Sequence, residues 1–185
     1  MKIETLEVAG LVGALEALRL PFGKKMRSQV LGPDIDIADI GGTYCIKTWT
    51  DIRVHPEDKR LMQNLVKRGD EHAKVVRGIV VWAKITAPVY WFCEEETYRA
   101  GHERLSSEST MHTDCKGLSG EELVAAKAAI PMGKELAKVD MFSYQCLRNI
   151  VRQRHDHRLP EWHTFCDWVR TLPLADELIF YGLEL

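Results

Sequence analysis

Apolar and polar positions alternate along some segments of this chain and recur at helical spacing along others. Residues 2–8 alternate apolar and polar residues, with Glu4 and Thr5 as one polar pair, which predicts a half-buried strand. Residues 11–20 predict a helix that ends at Pro21, and residues 43–50 are β-branched and aromatic, which predicts a second strand. Between them, residues 22–42 carry Gly, Pro and Asp at turn positions, so we predict a functional or mobile loop.

The middle of the chain continues this mixture. Residues 56–67 predict a helix with Pro56 in its first turn, and residues 78–85 (GIVVWAKI) are the best strand candidate. Pro88 is expected to open a further helix. On this helix we expect three consecutive glutamates to face water, because neighbouring side chains diverge on a helix; these are Glu94, Glu95 and Glu96.

The C-terminal half is predicted to be mainly helical. Ser119 resembles a helix cap, and helical signal continues toward residue 157 with an interruption near Pro131 and Gly133. Residues 161–172 predict another amphipathic helix, and the apolar residues 178–183 predict a strand or a docked end. Because helices and strands lack a regular βαβ order, we expect one α+β domain spanning residues 1–185.

Composition excludes several classes of protein. The 185 residues are 45% hydrophobic with a formal charge of −2, which indicates a globular domain without the cationic face of a general nucleic-acid binder. No apolar run reaches the roughly 20 residues of a membrane span, and we expect a cytoplasmic protein. Five well-separated cysteines predict buried, inert thiols, and no pair has zinc-knuckle spacing. We therefore predict no metal site.

A dense polar stretch at residues 99–112 carries the main candidate chemistry. Its cations, hydroxyls and imidazoles suit an anionic, flat ligand such as a nucleotide, although an ordinary polar loop has the same composition. Its polar members are Arg99, His102, Glu103, Arg104, Ser106, Ser107, Glu108, Ser109 and His112. Tyr90, Trp91 and Tyr98 precede it and predict either a stacking wall or core packing.

Residues 148–158 form a second cluster, which is strongly basic. On a helix, Arg148, Arg152 and His155 share one face, whereas Arg154 and Arg158 lie on another. Such a face can bind phosphate, but the helix macrodipole by itself also favours basic residues at a C-terminal end. Both interpretations stay open at this point.

These motifs resemble the flavin-dependent thymidylate synthase (ThyX-type) family, and more closely its divergent phage-encoded relatives. His72 falls at the family's Gly-His turn, residues 79–85 on the strand that follows, and Ala87-Pro88 on the helix start. Arg99 then falls on the second arginine of an Arg-His-Arg motif. Arg154 resembles the family's substrate-binding arginine.

The sequence also departs from the family pattern. Thr97 and Tyr98 stand where the family has Arg-His, and His102 stands where it has a serine. Arg77-Gly78 replaces a Glu-His pair, and only Ser109 is kept from the end of the serine motif. Two functions are therefore open. One is FAD-dependent methylation of dUMP to dTMP; the other is a non-flavin protein that sequesters or modifies a nucleotide, such as a signalling nucleotide.

The resemblance implies an α+β ThyX-like fold, in which helices pack around a small, mostly antiparallel sheet, and a homotetramer in the cytoplasm (of the host, if phage-encoded). It implies catalytic roles for Arg99 and His102 and FAD contacts for His72 and Tyr98. The substrate, dUMP or a related nucleotide, would be bound by Arg99, Arg104, Ser107, Ser109, His112, Arg152 and Arg154.

Overall fold

A computed structural model describes residues 1–30, 38–40, 43–45 and 52–185, with side chains for residues 1–29 and 53–185. Its elements follow in chain order. They are β1 (Lys2–Ala9), α1 (Leu11–Arg19), β2 (Gln29–Val30), β3 (Ala38–Ile40), β4 (Thr43–Cys45), β5 (Ile52–Arg53), α2 (Pro56–Lys67), β6 (Val80–Pro88), α3 (Val89–Glu95), β7 (His102–Ser107), α4 (Gly120–Ala128), β8 (Glu135–Ser143), α5 (Tyr144–Arg154), α6 (Pro160–Arg170) and α7 (Ala175–Leu178), with 3₁₀ turns at Leu20–Phe22 and Lys74–Arg77.

A four-stranded antiparallel sheet organises the fold, in the order β1-β6-β8-β7. In the central pair, Ala83 lies opposite Asp140 and Val81 opposite Phe142. Because side chains alternate along a strand, these residues share one face, which packs against the helices. The predicted α+β class with a small antiparallel sheet is confirmed.

Aromatic residues fill the space between this sheet face and the helices. The rings of Trp91 and Trp162 lie 4.8 Å apart, and Phe165 packs on both of them and on Phe142. All four side chains are fully buried. Trp91 therefore belongs to the core, and its interpretation as part of a ligand-stacking wall is wrong.

Two strands replace structure that the sequence analysis predicted differently. Strand β7 occupies much of the polar stretch, for which an ordinary loop was one of two interpretations, and β8 lies within the segment expected to be helical. The cause in β8 is tertiary: Lys138 and Asp140 point into the core, whereas Val139 and Met141 are only half-buried on the opposite face. Over these four residues of β8 the polar side chains therefore face the core and the apolar side chains face the other side, which reverses the usual arrangement.

The apolar tail is a docked end rather than a strand. Ile179 and Phe180 are buried, and Arg148 Nη1 donates to the carbonyls of Ile179 at 2.6 Å and Tyr181 at 2.9 Å. Arg148 thus fastens the C-terminus, a role different from phosphate binding. The predicted loop at residues 22–42 and strand at residues 43–50 lie partly outside the described residues.

The described cysteines are in keeping with inert thiols, apart from the exposed Cys93. Cys115, Cys146 and Cys166 are buried, and burial raises the pKa of Cys146 to about 12 and that of Cys166 to about 11. Thiols with pKa values this high carry little thiolate at neutral pH. Among the described residues, no helix combines the length and the apolar character needed to cross a bilayer.

Asp58 fastens the N-terminal segment to α2. Its fully buried carboxylate accepts hydrogen bonds from Arg19 Nε at 2.7 Å, Arg27 N at 2.9 Å, and both Ser28 N and Oγ at 2.7 Å. Burial alone raises the pKa of a carboxyl group, but these hydrogen bonds bring the pKa of Asp58 below its usual value.

We predict that Asp58→Ala lowers the free energy of unfolding by about 3–5 kcal/mol, because it leaves the guanidinium of Arg19 buried without its partner. Since the pKa of Asp58 is lowered in the folded state, its stabilisation is present above the ordinary carboxyl pKa and is lost as pH falls through the folded value. Urea unfolding at neutral and acid pH measures both effects. Glu57→Ala, on the exposed side of the same turn, should cost less than about 1 kcal/mol.

Candidate functional site

Arg154, at the end of α5, is the centre of a half-buried polar cluster. Its Nε donates to the hydroxyl of Tyr98 at 2.7 Å, and its Nη1 donates to Glu94 Oε2 at 2.9 Å. The guanidinium carbon lies 4.9 Å from the centre of the Trp162 ring. We call these four residues (Glu94, Tyr98, Arg154 and Trp162) the Arg154 cluster.

Three chain segments meet in the Arg154 cluster: α3 with the turn that follows it, the end of α5, and the start of α6. Glu94 comes from the last turn of α3, Tyr98 from the turn that follows it, and Trp162 from the first turn of α6. The indole Nε1 of Trp162 donates to the same Glu94 oxygen at 3.0 Å. Leu159 precedes α6 and Pro160 is its first residue. Helix α6 therefore begins shortly after Arg154, and its first turn brings Trp162 next to that side chain.

The Arg154 cluster leaves part of the guanidinium available. The side chain of Arg154 is 20% exposed, and its Nη2 has no hydrogen-bond partner in the described ranges. Tyr98, half-buried, also donates its hydroxyl proton to Gln153 at 3.1 Å. A fixed, partly exposed guanidinium beside a phenol is suited to binding an oxyanion such as phosphate.

The other predicted residues at the start of the polar stretch are spread along the surface. Arg99 is exposed and has no carboxylate within ion-pair distance among the described residues. Arg104 on the edge strand β7 pairs with Glu96, which also contacts Lys138. Burial alone raises a carboxyl pKa, but these two cations lower the pKa of Glu96. Arg99 is therefore the cation of this group that is free to meet a ligand.

The remaining candidates lie in separate places. Ser107 lines a shallow cavity of about 310 Å³ with Lys84 and Lys138, and Ser109 and His112 share an exposed turn. Arg152 is exposed, and its one side-chain hydrogen bond within the described part of the chain is a long 3.4 Å contact with Asn149. The structure thus joins Tyr98, predicted to contact FAD, to Arg154 by a side-chain hydrogen bond, whereas no hydrogen bond joins two side chains among the predicted substrate residues, all of which the structure describes.

His72 lies at a different cavity, of about 660 Å³, between α1 and α2. The lining is mostly apolar and includes Ala14, Phe22 and Leu65, with His72 and Lys74 as its polar groups. The His72 side chain is 49% exposed. This volume is within the range of cofactor sites, and the apolar walls suit a ring system.

His102 lies in the interior, contrary to what its place in a polar stretch suggests. Its side chain is 6% exposed, and its ring stacks on Phe142 with 4.5 Å between ring centres and 5° between planes. Nε2 lies 2.8 Å from Glu95 Oε1 and 3.6 Å from Asp140 Oδ1, and both carboxylates are fully buried. We call Glu95, His102 and Asp140 the buried triad.

A glycine fixes the entry of His102 into the buried triad. Gly101 has φ +79°, and a Cβ atom there would come within 2.2 Å of Ser143 Oγ. The Gly101 carbonyl accepts from Ser143 N at 2.6 Å, which joins the start of β7 to the end of β8. A residue with a side chain is therefore excluded at this turn.

Burial and mutual contact shift the pKa values of His102 and Glu95 in the buried triad. Burial lowers the pKa of His102, but the facing carboxylates of Asp140 and Glu95 raise it overall, to about 9. Burial raises the pKa of Glu95, an effect that His102 only partly offsets. The prediction that Glu95 faces water is therefore wrong: α3 ends with this glutamate turned into the core.

Sequence reasoning missed Glu94, Glu95, Asp140 and Trp162. The three consecutive glutamates were treated as one solvated face, and Asp140 lay in a segment expected to be helical. One signal was available: residues 137–141 (AKVDM) alternate apolar and polar residues with period two. That pattern predicts a strand, and a strand would have placed Lys138, Asp140 and Phe142 on one face.

Comparisons with known proteins give a match in structure but not in sequence. No family model matches the chain, and neither does any curated protein. Two solved structures of ThyX from Helicobacter pylori with FAD and dUMP are similar to it. Their TM-scores are 0.67 and 0.65, both at 14% identity; each comparison covers 100% of this chain, with 100% and 98% of the respective ThyX chains.

A third similar structure is a UMP/dUMP methylase, PolB, from Streptomyces cacaoi, bound with 5-Br dUMP. Its TM-score is 0.61 at 11% identity, over 98% of this chain and 95% of that one. The chain has the ThyX fold. The fold expected from the motif resemblance is thereby confirmed, whereas family membership and a phage origin stay predictions.

We predict that His102→Ala lowers the free energy of unfolding by about 3–5 kcal/mol, because it leaves two buried carboxylates facing each other without a cation. Chemical denaturation followed by tryptophan fluorescence measures this loss. His112→Ala, an exposed histidine beyond the end of the same strand, should change stability by no more than about 0.5 kcal/mol. Equal stability of the two variants would contradict the description of the triad.

Proposed function

We propose that this protein binds a pyrimidine nucleotide and that Arg154 binds its phosphate. The observation that carries the proposal is the geometry of Arg154, which the phenol of Tyr98 and the ring of Trp162 orient while Nη2 stays without a partner in the described ranges. Two of its donors are held by the protein, so a ligand oxyanion meets a guanidinium that is already positioned.

The fold supports the pyrimidine part of this proposal. The two ThyX structures and the PolB structure compared above are complexes with dUMP or 5-Br dUMP. The present chain matches them along its whole length, and Arg154 is the residue that the motif resemblance aligns with their family's substrate-binding arginine. Arg99, exposed and close in sequence to Tyr98, is a second phosphate ligand in this proposal.

Glu94 opposes phosphate binding in the free protein. It occupies Nη1 of Arg154 and also accepts from Trp162, while His157 Nε2 lies 3.6 Å from the same oxygen. An incoming phosphate adds negative charge next to this carboxylate. Phosphate binding therefore requires Glu94 to move or to share the guanidinium with the phosphate.

Transfer of a one-carbon unit to the bound pyrimidine, with FAD as cofactor, is the reaction we favour within this proposal. The residues fit a flavin in part: the cavity at His72 has apolar walls and room for a ring system, and Lys74 adds a cation at its edge. When bound in its reduced form, FAD would supply the hydride that reduces the transferred carbon at the pyrimidine and would end as oxidised FAD, and methylenetetrahydrofolate would be the donor of the one-carbon unit. The chain's own residues would hold and orient the nucleotide.

Nucleotide binding without flavin is the second candidate. The observation that favours it is Tyr98, which stands where the family has a histidine and whose hydroxyl is already engaged by Arg154 and Gln153. Tyr98 is therefore part of the Arg154 cluster, and we assign it to nucleotide binding in this candidate rather than to a flavin.

We predict that Arg154→Ala weakens dUMP binding by about 10- to 100-fold, because it removes charge-assisted hydrogen bonds to the phosphate. Arg99→Ala should weaken it by a smaller factor, since that side chain is more exposed. Isothermal titration calorimetry gives both affinities. Arg170→Ala on α6 is the matched control, because its partner Asp176 is at the surface and its affinity for dUMP should be unchanged. Unchanged affinity in both Arg154→Ala and Arg99→Ala would contradict the assignment.

Glu94→Gln is predicted to tighten dUMP binding by about threefold to tenfold. The amide keeps a hydrogen-bond acceptor for Trp162 but removes the negative charge that competes with phosphate, a half-exposed pair worth about 1 kcal/mol. The same titration measures the change. Weaker binding in this variant would mean that Glu94 contacts the ligand itself instead of competing with it.

The flavin candidate predicts that purified protein incubated with excess FAD keeps the visible absorbance band of oxidised flavin after gel filtration. His72→Ala should reduce the retained flavin, because it removes a polar group at the edge of the apolar cavity. A colourless protein that still binds dUMP would establish the second candidate in place of the first.

A further inference from the structure

We propose that the buried triad, Glu95, His102 and Asp140, is a binding site for one divalent transition-metal ion of the zinc type. Imidazole nitrogen and carboxylate oxygen are the ligands such ions take in proteins, and three protein ligands are a sufficient set. The inference is independent of the nucleotide proposal. It departs from the sequence analysis, which predicted no metal site because no cysteine pair has zinc-knuckle spacing.

The distances within the triad fit a shared ion. One ligand atom from each residue lies within 4.8 Å of the others, and the two contacts of His102 Nε2 measure 2.8 and 3.6 Å. Metal bonds of about 2.0–2.2 Å at tetrahedral or octahedral angles place ligand atoms about 3.0–3.5 Å apart. Small rotations of the two carboxylates are enough to reach these values.

The second observation is that the triad's polar atoms lack partners. Both oxygens of Glu95, both oxygens of Asp140 and Nε2 of His102 are buried without a hydrogen bond from any residue that the structure describes. Nε2 makes a 2.8 Å ion-pair contact with Glu95 Oε1, and its one N–H can satisfy only one of the four carboxylate oxygens. Leaving so many buried polar atoms unpaired is costly, whereas a metal ion satisfies all three residues at once.

The histidine ring is held as a metal ligand is usually held. Nδ1 of His102 lies 3.0 Å from the carbonyl of Tyr98, a contact in which Nδ1 carries the proton. When an ion displaces the second ring proton, this arrangement leaves the lone pair on Nε2, which faces both carboxylates. A hydrogen bond from the second ring nitrogen to a backbone carbonyl is the common outer support of metal-binding histidines.

Charge balance points to a dication. Two buried carboxylates are matched by a single histidine, and the nearest lysine on this sheet face, Lys138, already contacts Glu96. One divalent ion with a neutral imidazole balances the two carboxylates. Because the ligands come from α3, β7 and β8, such an ion would fix the turn at residues 96–101, which carries Tyr98 and Arg99.

The test is metal content of the full-length protein. Chain stripped with a chelator is incubated with Zn²⁺ or Co²⁺, passed through a desalting column and measured by mass spectrometry for bound ion. We expect one ion per chain, a Co²⁺ ligand-field absorbance band, and a rise in the thermal unfolding temperature with ion concentration.

Asp140→Asn and His102→Gln should each weaken the ion's affinity by at least about 100-fold. Asp140→Asn keeps the shape of the side chain and removes a buried charge, so circular dichroism should show a folded protein. Glu103→Gln and His112→Gln, both exposed in the same stretch, are the matched controls and should keep one ion. Wild-type protein that binds neither ion, or a folded Asp140→Asn that keeps full stoichiometry, would overturn the proposal. The wild-type measurement decides the question even if both triad variants fail to fold.

Discussion

A single carboxylate oxygen joins the parts of this molecule on which the functional proposal depends. Oε2 of Glu94 accepts from Arg154 and from Trp162, and thereby connects the ends of α3, α5 and α6. Trp162 in turn is buried in the aromatic core, so the position of Arg154 is fixed by the packing of the whole domain. Because Tyr98 and Trp162 also contact the guanidinium, it loses little freedom on binding an anion even when Glu94 gives up Nη1.

The three consecutive glutamates at the end of α3 each contact a different part of the domain. Glu94 contacts Arg154, Glu95 points to His102 in the core, and Glu96 contacts Lys138 and Arg104. Acidic residues are unfavourable at a helix C-terminus because of the macrodipole, and here each is compensated by a different partner. Helical geometry makes this distribution possible, since successive side chains point about 100° apart. One short stretch thus supplies both the Arg154 cluster and the buried triad.

Much of the fold was readable from the sequence, and the failures have a common physical cause. The segments 56–67 and 161–172 obey local periodicity, because their apolar faces meet the core as an isolated pattern suggests. Strand β8 departs from this rule, because its polar residues Lys138 and Asp140 face the core. Their partners come from other parts of the chain, which the sequence of the strand does not reveal. The same reason explains why only part of the Arg154 cluster was predicted. Residue type and motif identified Arg154 and Tyr98. Their contact with Glu94 depends on how three helices pack, which local sequence does not show.

The central claim is that this fold binds a pyrimidine nucleotide through its phosphate, and a comparison of ligands tests it most directly. Calorimetric titration of the wild-type protein with dUMP, deoxyuridine and dAMP separates the contributions of the phosphate and the base. We predict that dUMP binds at least about 10-fold more tightly than deoxyuridine, which lacks the phosphate, and more tightly than dAMP, which carries a purine. Equal affinity for dUMP and deoxyuridine, or no binding of dUMP, would contradict the account.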